Sequence, residues 1–566
     1  MLLLGACSSG SVGDASADPT APLGTTPAET TAPSTIAPTT TAPTPVEPTP
    51  ETSTATSTMP VSEPDVTEPD VTEPDVSEVD VGEPDVTAFV PVFSPGACGG
   101  DPFVVTEGVR CGTVAVPVDH DDPMGEQLTI AVAQVEPLGG TPLMSDPILR
   151  LQGGPGSGIT DSVGGWADWE QRDLFGVVLI EYRGEPNSAP ALTCPDKAGA
   201  VLAAFTTLDP FPVEADRIAD AAGRCAERAR ADGVDLTAFD TRAIADDIEL
   251  VRQALQVERW NLVGVSYGTT TAMEVMRRHP DSVRSAILDS AYPPERFTIA
   301  DVAGGLDHVL DRFDAACPPG SDCNPADLTV TEQFAEMVAA FDAEPGLVVT
   351  AHPETGEPVE LLLDGADVTD ALWLAVWSGN VPELALDAVV GGDPIAQLFL
   401  VQVVVEEFLA DYRDSSLLQA DIVECRDRGH LLSRDEIDAA VAERPELGSI
   451  FRYATYVGHG ITCDAIDAGQ TDAGWTDSLR SDIPTLVLAG VWDAVTPPAW
   501  GEALLDGLPN GTFVTYPGLA HGTWDDTDCS FGITQAFLND PAAELDVSCV
   551  TSMPDPLPVP PGADGS

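Results

Sequence analysis

The sequence predicts an α/β fold built on a mostly parallel sheet, and three observations predict it. Short apolar runs suited to strands buried on both faces occur at 147–151, 176–180, 260–263 and 484–490. A segment of helical periodicity precedes the third run, with Ile244, Ile248, Val251 and Leu255 on one stripe of 242–256. Between the third run and the helix-like 269–279 lies Gly264-Val265-Ser266-Tyr267-Gly268, a G-x-S-x-G pattern at a strand-to-helix turn.

That pentapeptide has the form of a nucleophile elbow. The serine sits on a strained turn, and glycines flank it because a Cβ there would strike the neighbouring strand and helix. Read alone, it is also compatible with a glycine-rich turn carrying an incidental serine. A serine nucleophile needs a base, an acid and an oxyanion hole, so the remaining chain decides between the two.

The elbow order is serine, acid, histidine. Of seven histidines, His120 precedes the elbow and His279 ends its helix. His308, His352, His430 and His459 fall where the strand–helix alternation is lost. His521 lies in the small-residue loop 517–522 after the strand-like 512–516, which makes it the expected base. Asp493 follows the strand-like 484–490 and is the expected acid, with Asp289 after 286–288 as the competitor. The backbone N–H of Tyr267 and that of Gly154, in the loop Gln152-Gly153-Gly154-Pro155-Gly156-Ser157-Gly158, are the expected oxyanion donors.

With those pieces in place the chain resembles the tripeptidyl aminopeptidase and proline iminopeptidase branch of the α/β-hydrolases, and most of all its secreted and lipoprotein members from actinobacteria. The matching stretches are GGPGSG at 153–158, EYRGEPNS at 181–188, the run 241–269, LDSAYPPE at 288–295, GVWDAVTPP at 490–498 and GLAHG at 518–522. The resemblance spans roughly 95–550. It implies an α/β-hydrolase fold, hydrolysis at a peptide N-terminus, and the roles of Ser266, Asp493, His521, Gly154 and Tyr267. The chain departs from the branch at Glu181, where aspartate is usual, at Pro186 near a usual glycine, and at Gln152, where some relatives have histidine. These changes are expected at the mouth of the site, where they bear on specificity.

Net charge is −69 and Lys197 is the only lysine. Residues 1–92 carry fifteen acids and no base, which leaves −54 on the rest. So acidic a chain is not expected to bind nucleic acid and should attract cationic peptide ends. It also suits a salty environment, although a GC-rich genome depletes lysine as well.

One of eleven cysteines, Cys7, ends Leu4-Gly5-Ala6-Cys7, which has the form of a bacterial lipobox. That likeness implies cleavage before Cys7 and a lipid on it, anchoring the protein to the outer face of a membrane, or else secretion. No basic residue precedes Arg110 and the apolar stretch is short, so the true start is expected upstream. No other segment is long and apolar enough to span a bilayer. The other ten cysteines read as five disulfides, most simply paired in order: Cys98–Cys111, Cys194–Cys225, Cys317–Cys323, Cys425–Cys463 and Cys529–Cys549. Zinc is the alternative, but no CxxC pair stands with histidines at ligand spacing, and no metal or cofactor is expected.

The expected organisation is a signal remnant at 1–7, a disordered Thr/Pro/Glu/Asp-rich tether at 8–92, a first core part at 93–296, a helical cap at 297–481, a second core part at 482–550 and a flexible tail at 551–566. The tether ends in five copies of a five-residue repeat, 62–86, four of the form EPDV with one preceding residue and one, 77–81, reading SEVDV. Proline and like charge keep such a segment extended and solvated; calcium binding is the weaker alternative. The cap includes helix-like 366–377 and 394–411. Glu424 and Asp427, flanking Cys425, are the candidates for holding a substrate's protonated amine. The expected activity is a serine aminopeptidase acting on peptides with a free N-terminus. An esterase or lipase with the same machinery is the rival, and a binding protein on a dead scaffold is the second.

Overall fold

The computed structural model describes residues 89–557 except 99–107, 138–145, 378–381, 411–414, 448–459 and single or paired positions elsewhere, chiefly between 393 and 410. The lipobox cysteine Cys7, the tether, the repeats and most of the tail lie outside the described residues.

Among the described residues nine strands form one sheet: β1 (Phe93–Pro95), β2 (Val109–Pro117), β3 (Gln127–Val135), β4 (Ile148–Leu151), β5 (Val177–Ile180), β6 (Trp260–Val265), β7 (Val283–Asp289), then β10 (Thr485–Gly490) and β11 (Gly511–Tyr516). Their order is β1-β2-β3-β5-β4-β6-β7-β10-β11. β1, β2, β3 and β5 pair antiparallel in succession, and every pairing from β5 to β11 is parallel. The central strands β4, β5, β6 and β10 are buried at every residue, which is why they read as unbroken apolar runs. One face packs Leu149, Leu151 and Leu262, and the other packs Ile148, Val263 and Val265. This is an α/β-hydrolase sheet, with the elbow at the carboxyl end of central β6.

Between β7 and β10 the chain leaves the sheet. It forms the helices Ile299–Ala316, Val330–Ala343, Gly365–Trp377, Pro382–Gly391, Leu417–Arg428, Arg434–Glu443 and Ile461–Ile466. It also forms an antiparallel hairpin of β8 (Gly346–Ala351) and β9 (Pro358–Leu363), which the sequence reading passed over. Two helices from before β6, Pro195–Ala204 and Phe211–Ala231, pack onto this insertion. Lys197 pairs with Asp421 at 2.5 Å, and Arg230 donates to the carbonyls of Ile466 and Asp467. No helix among the described residues is long and apolar enough to cross a membrane.

The ten cysteines form Cys98–Cys111, Cys194–Cys225, Cys317–Cys323, Cys425–Cys463 and Cys529–Cys549. Among the described residues no group of histidine, cysteine and carboxylate side chains has the arrangement of a metal site.

Candidate active site

Ser266 joins β6 to the helix Tyr267–Arg278 with φ 58° and ψ −126°, a left-handed conformation that costs free energy in a residue with a side chain. The glycines around it are required. A Cβ on Gly264 would lie 2.4 Å from the Gly268 carbonyl oxygen, and one on Gly268 would lie 2.3 Å from that of Leu151. Ser266 N–H donates to the Asp289 carbonyl at 3.1 Å, fixing the elbow to the end of β7.

His521 follows β11, and Asp493 follows β10. Their side chains meet: His521 Nδ1 lies 2.9 Å from Asp493 Oδ2. The Val495 and Thr496 N–H groups donate to Asp493 Oδ1 at 2.9 and 2.8 Å, and Thr496 Oγ1 donates to Oδ2 at 2.7 Å. Burial pushes the Asp493 carboxyl up, but His521 beside it and the Thr496 bonds outweigh this and hold it below its ordinary value. It is therefore ionised at neutral pH and orients the imidazole. Thr496, also 3.2 Å from Nδ1, was missed in the sequence. Its signal was the Asp-x-x-Thr spacing of a local side-chain turn.

The competitor Asp289 has a different task. Its carboxylate receives Thr523 N–H, Thr523 Oγ1 and Trp524 N–H at 2.5, 2.8 and 2.9 Å. The other histidines considered for the base are engaged elsewhere where described. His120 contacts Asp247 and Arg183, His279 contacts Asp246, and His308 contacts the Val491 carbonyl.

The glycine loop after β4 reaches the nucleophile. A Cβ on Gly153 would lie 3.2 Å from Ser266 Cβ and 3.7 Å from its Oγ. Gly154, the next residue, takes φ 113°. Two buried glutamates hold this loop from behind. Glu181 Oε1 receives Ile159 N–H, Thr160 N–H and Thr160 Oγ1 at 3.0, 2.9 and 2.7 Å. Glu185 Oε2 receives the Tyr182 N–H at 2.6 Å, and its carboxyl lies beside the Gly156 N–H. Burial, with Glu181 adding to it, pushes the Glu185 carboxyl well above its ordinary value. Both are fully buried, so the departure at Glu181 acts behind the loop and not at the mouth expected from sequence, whereas Pro186 is half-buried. Arg183 of the same motif is bidentate to Asp247 at 2.8 and 2.6 Å. Beyond the loop, Trp166 stacks on Trp524 at 6.1 Å, joining the oxyanion side to the histidine side.

Glu424 and Asp427 lie on the buried helix Leu417–Arg428. Asp427 is enclosed: Thr241 N–H and Oγ1 donate to one oxygen at 3.2 and 2.6 Å, and Thr471 Oγ1 donates to the other at 2.9 Å. Thr241 Oγ1 also lies 2.6 Å from the Tyr267 hydroxyl, which ties this network to the elbow. Glu424 faces Arg428 at 3.4 Å and its Oε2 has no hydrogen-bond partner among the described residues. Arg428 in turn covers the Tyr292 ring at 3.9 Å and donates to Thr270 of the elbow helix at 2.9 Å.

Comparison with known proteins agrees with this geometry. The family described as the alpha/beta hydrolase fold matches residues 146–350, and the family described as TAP-like protein matches 450–549. The chain is 25% identical over 439 residues to a protein named serine protease Hip1 from Mycobacterium tuberculosis, covering 73% of this chain and 82% of that one. It is 31% identical over 202 residues to a tripeptidyl aminopeptidase of Streptomyces lividans, covering 33% of this chain and 36% of that one. It is also 32% identical over 236 residues to a protein named carboxylesterase B from Mycobacterium tuberculosis, covering 38% and 44%.

Proposed function

The chain belongs to the α/β-hydrolases, in their tripeptidyl-aminopeptidase-like branch of serine hydrolases, and from that premise we propose that it is an exported peptidase cleaving near a free peptide N-terminus. The observation that carries the reading is the ionised Asp493 aligned on His521 within a chain whose likeness to a serine protease extends over most of that protein's length.

Ser266 attacks the scissile carbonyl and His521 takes its proton. Asp493 holds the imidazole tautomer and stabilises the imidazolium. The oxyanion lies on the Tyr267 and Gly154 N–H groups, with Glu181 and Glu185 holding the glycine loop rigid. His521 then protonates the leaving amine, and water repeats the sequence on the acyl-enzyme. No cofactor takes part in these steps. Glu424 is the better candidate for the substrate amine, because Asp427 is enclosed by threonine donors on both oxygens.

Five disulfides support export, since they persist in oxidising compartments. A lipid on Cys7 would hold the enzyme at a membrane surface. The second reading is an esterase, favoured by the carboxylesterase-named relative and by the fact that fold and triad leave the leaving group open.

The test compares the wild type with Ser266→Ala on free-amine mono-, di- and tripeptidyl anilides, their N-acetylated forms and short nitrophenyl esters. Ser266-dependent cleavage confined to free-amine peptides is expected. Ester turnover without amide cleavage would replace the peptidase reading by the esterase one.

A further inference from the structure

The elbow and the histidine loop are both held by one residue at the end of β7. The main chain of Asp289 accepts from Ser266 N–H, and its carboxylate accepts the three donors of Thr523 and Trp524 just past His521. Next to it, Ser290 Oγ receives Gly522 N–H at 2.9 Å. Every residue from 522 to 524 is thus bonded to residues 289–290, while the imidazole itself bonds to Asp493.

A packing brace alone does not call for a carboxylate. Burying one is costly, and Asp289 is fully buried. An ionised carboxylate does accept three donors without presenting one of its own, which asparagine cannot do. Burial raises the Asp289 carboxyl above its ordinary value, while its three donors and the nearby His521 ring favour the ionised form, which sets a second negative charge near the imidazole that must become cationic in each turnover. We propose that Asp289 is a positioning residue for the reaction: its carbonyl places Ser266, its carboxylate places His521, and its charge stabilises the imidazolium alongside Asp493.

Other charged or titratable groups face this region. Asp493 enters from the loop after β10, and Asp525 and Asp526 enter from the histidine loop itself. Arg150 on β4 faces Asp525, and Tyr516 on β11 faces Asp289. Asp289 differs from the flanking carboxylates in being bonded to both sides of the catalytic pair. Its removal therefore changes geometry and charge together, and the two effects can be read separately.

The experiment measures the rate of Ser266 labelling by a fluorophosphonate as a function of pH, on the full chain, with Ser266→Ala as the blank. This readout does not depend on whether the substrate is a peptide or an ester. Asp289→Asn is expected to label about 100-fold more slowly. The acidic limb of its profile should move down by about one pH unit, because a negative charge that favoured the imidazolium is gone. Thr523→Val keeps the charge and removes one donor, so it should label roughly tenfold more slowly with the limb in place. Labelling of Asp289→Asn within twofold of wild type, or slowed with no movement of the limb, would overturn the proposal. If Asp289→Asn does not fold, Thr523→Val carries the test: slower labelling at unchanged melting temperature supports it, and wild-type labelling overturns it.

Discussion

His521 Nδ1 lies 2.9 Å from Asp493 Oδ2, and Thr496 Oγ1 completes a three-membered cluster at 2.7 Å from the carboxylate and 3.2 Å from the ring. Asp493 is fixed by four donors, so it offers the imidazole one geometry. Asp493→Asn should fold like the wild type and present the wrong donor to Nδ1, lowering kcat by about 10⁴-fold. Thr496→Val should cost roughly tenfold through one lost bond to a charged group. Steady-state rates on any substrate cleaved by the wild type check both, and equal losses in the two variants would contradict the assignment of Asp493 as the acid.

Glu181 and Glu185 give a second prediction. Glu181 accepts the Ile159 and Thr160 N–H groups, and Glu185 accepts that of Tyr182 beside Gly156, so together they back the loop that carries Gly154. Glu181→Ala leaves two buried N–H groups and the Thr160 hydroxyl without that acceptor and frees the loop. A fall in kcat of about 10²–10³-fold is expected, the size of losing an oxyanion donor, with KM changed little. A rise in KM at constant kcat would place the loop in ground-state binding instead.

The elbow, the triad and the buried parallel strands were legible because each is encoded locally. A run such as 484–490 is apolar but for Thr485, since both faces of β10 are buried, and the loop after it carries its acid within three residues. The disulfide partners, too, follow one another along the chain. What the sequence concealed depends on contacts between distant segments. Glu181 reads as a polar residue of a family motif, and only the approach of residues 159–160 shows it as a buried acceptor. Asp427 reads as a candidate for the substrate amine, yet Thr241 and Thr471 come from segments far away to enclose it. The β8–β9 hairpin alternates too weakly to stand out, because its outer face leaves Leu347 and Val349 exposed.

The close approach at the elbow is the third prediction. In Gly268→Ala the new Cβ would meet the Leu151 carbonyl at 2.3 Å and the Gln152 carbonyl at 2.9 Å, both backbone. β4 and the glycine loop must then move apart from the elbow helix. A destabilisation of about 1–3 kcal/mol is expected in denaturant unfolding, with loss of fluorophosphonate labelling. Gly532→Ala is the control. It lies in the helix Asp528–Asn539 with nothing within 4 Å of the added methyl, and should be neutral or stabilising by up to about 1 kcal/mol.

Asp427 gives a prediction whose sign is opposite to that of most carboxylates. Burial, with Asp240 nearby adding to it, raises its carboxyl from 3.8 to about 7, despite the donors from Thr241 and Thr471. In the unfolded chain the group ionises near its ordinary value. Between about pH 4 and about pH 7 the folded protein therefore holds a proton that the unfolded chain has released. Stability from this group is full below that window and falls as pH rises through it. Asp427→Asn keeps the shape and cannot ionise, so it does not lose stability in the window. Its melting temperature relative to wild type should rise by a few degrees from pH 4 to pH 8. Because Thr241 links Asp427 to the Tyr267 hydroxyl, labelling of Ser266 by the wild type should also weaken toward the upper end of that window more than labelling of the variant. A melting difference that stays flat with pH would mean that Asp427 is ionised in the folded protein and that its charge is balanced by Arg428, which acts on it from the same helix.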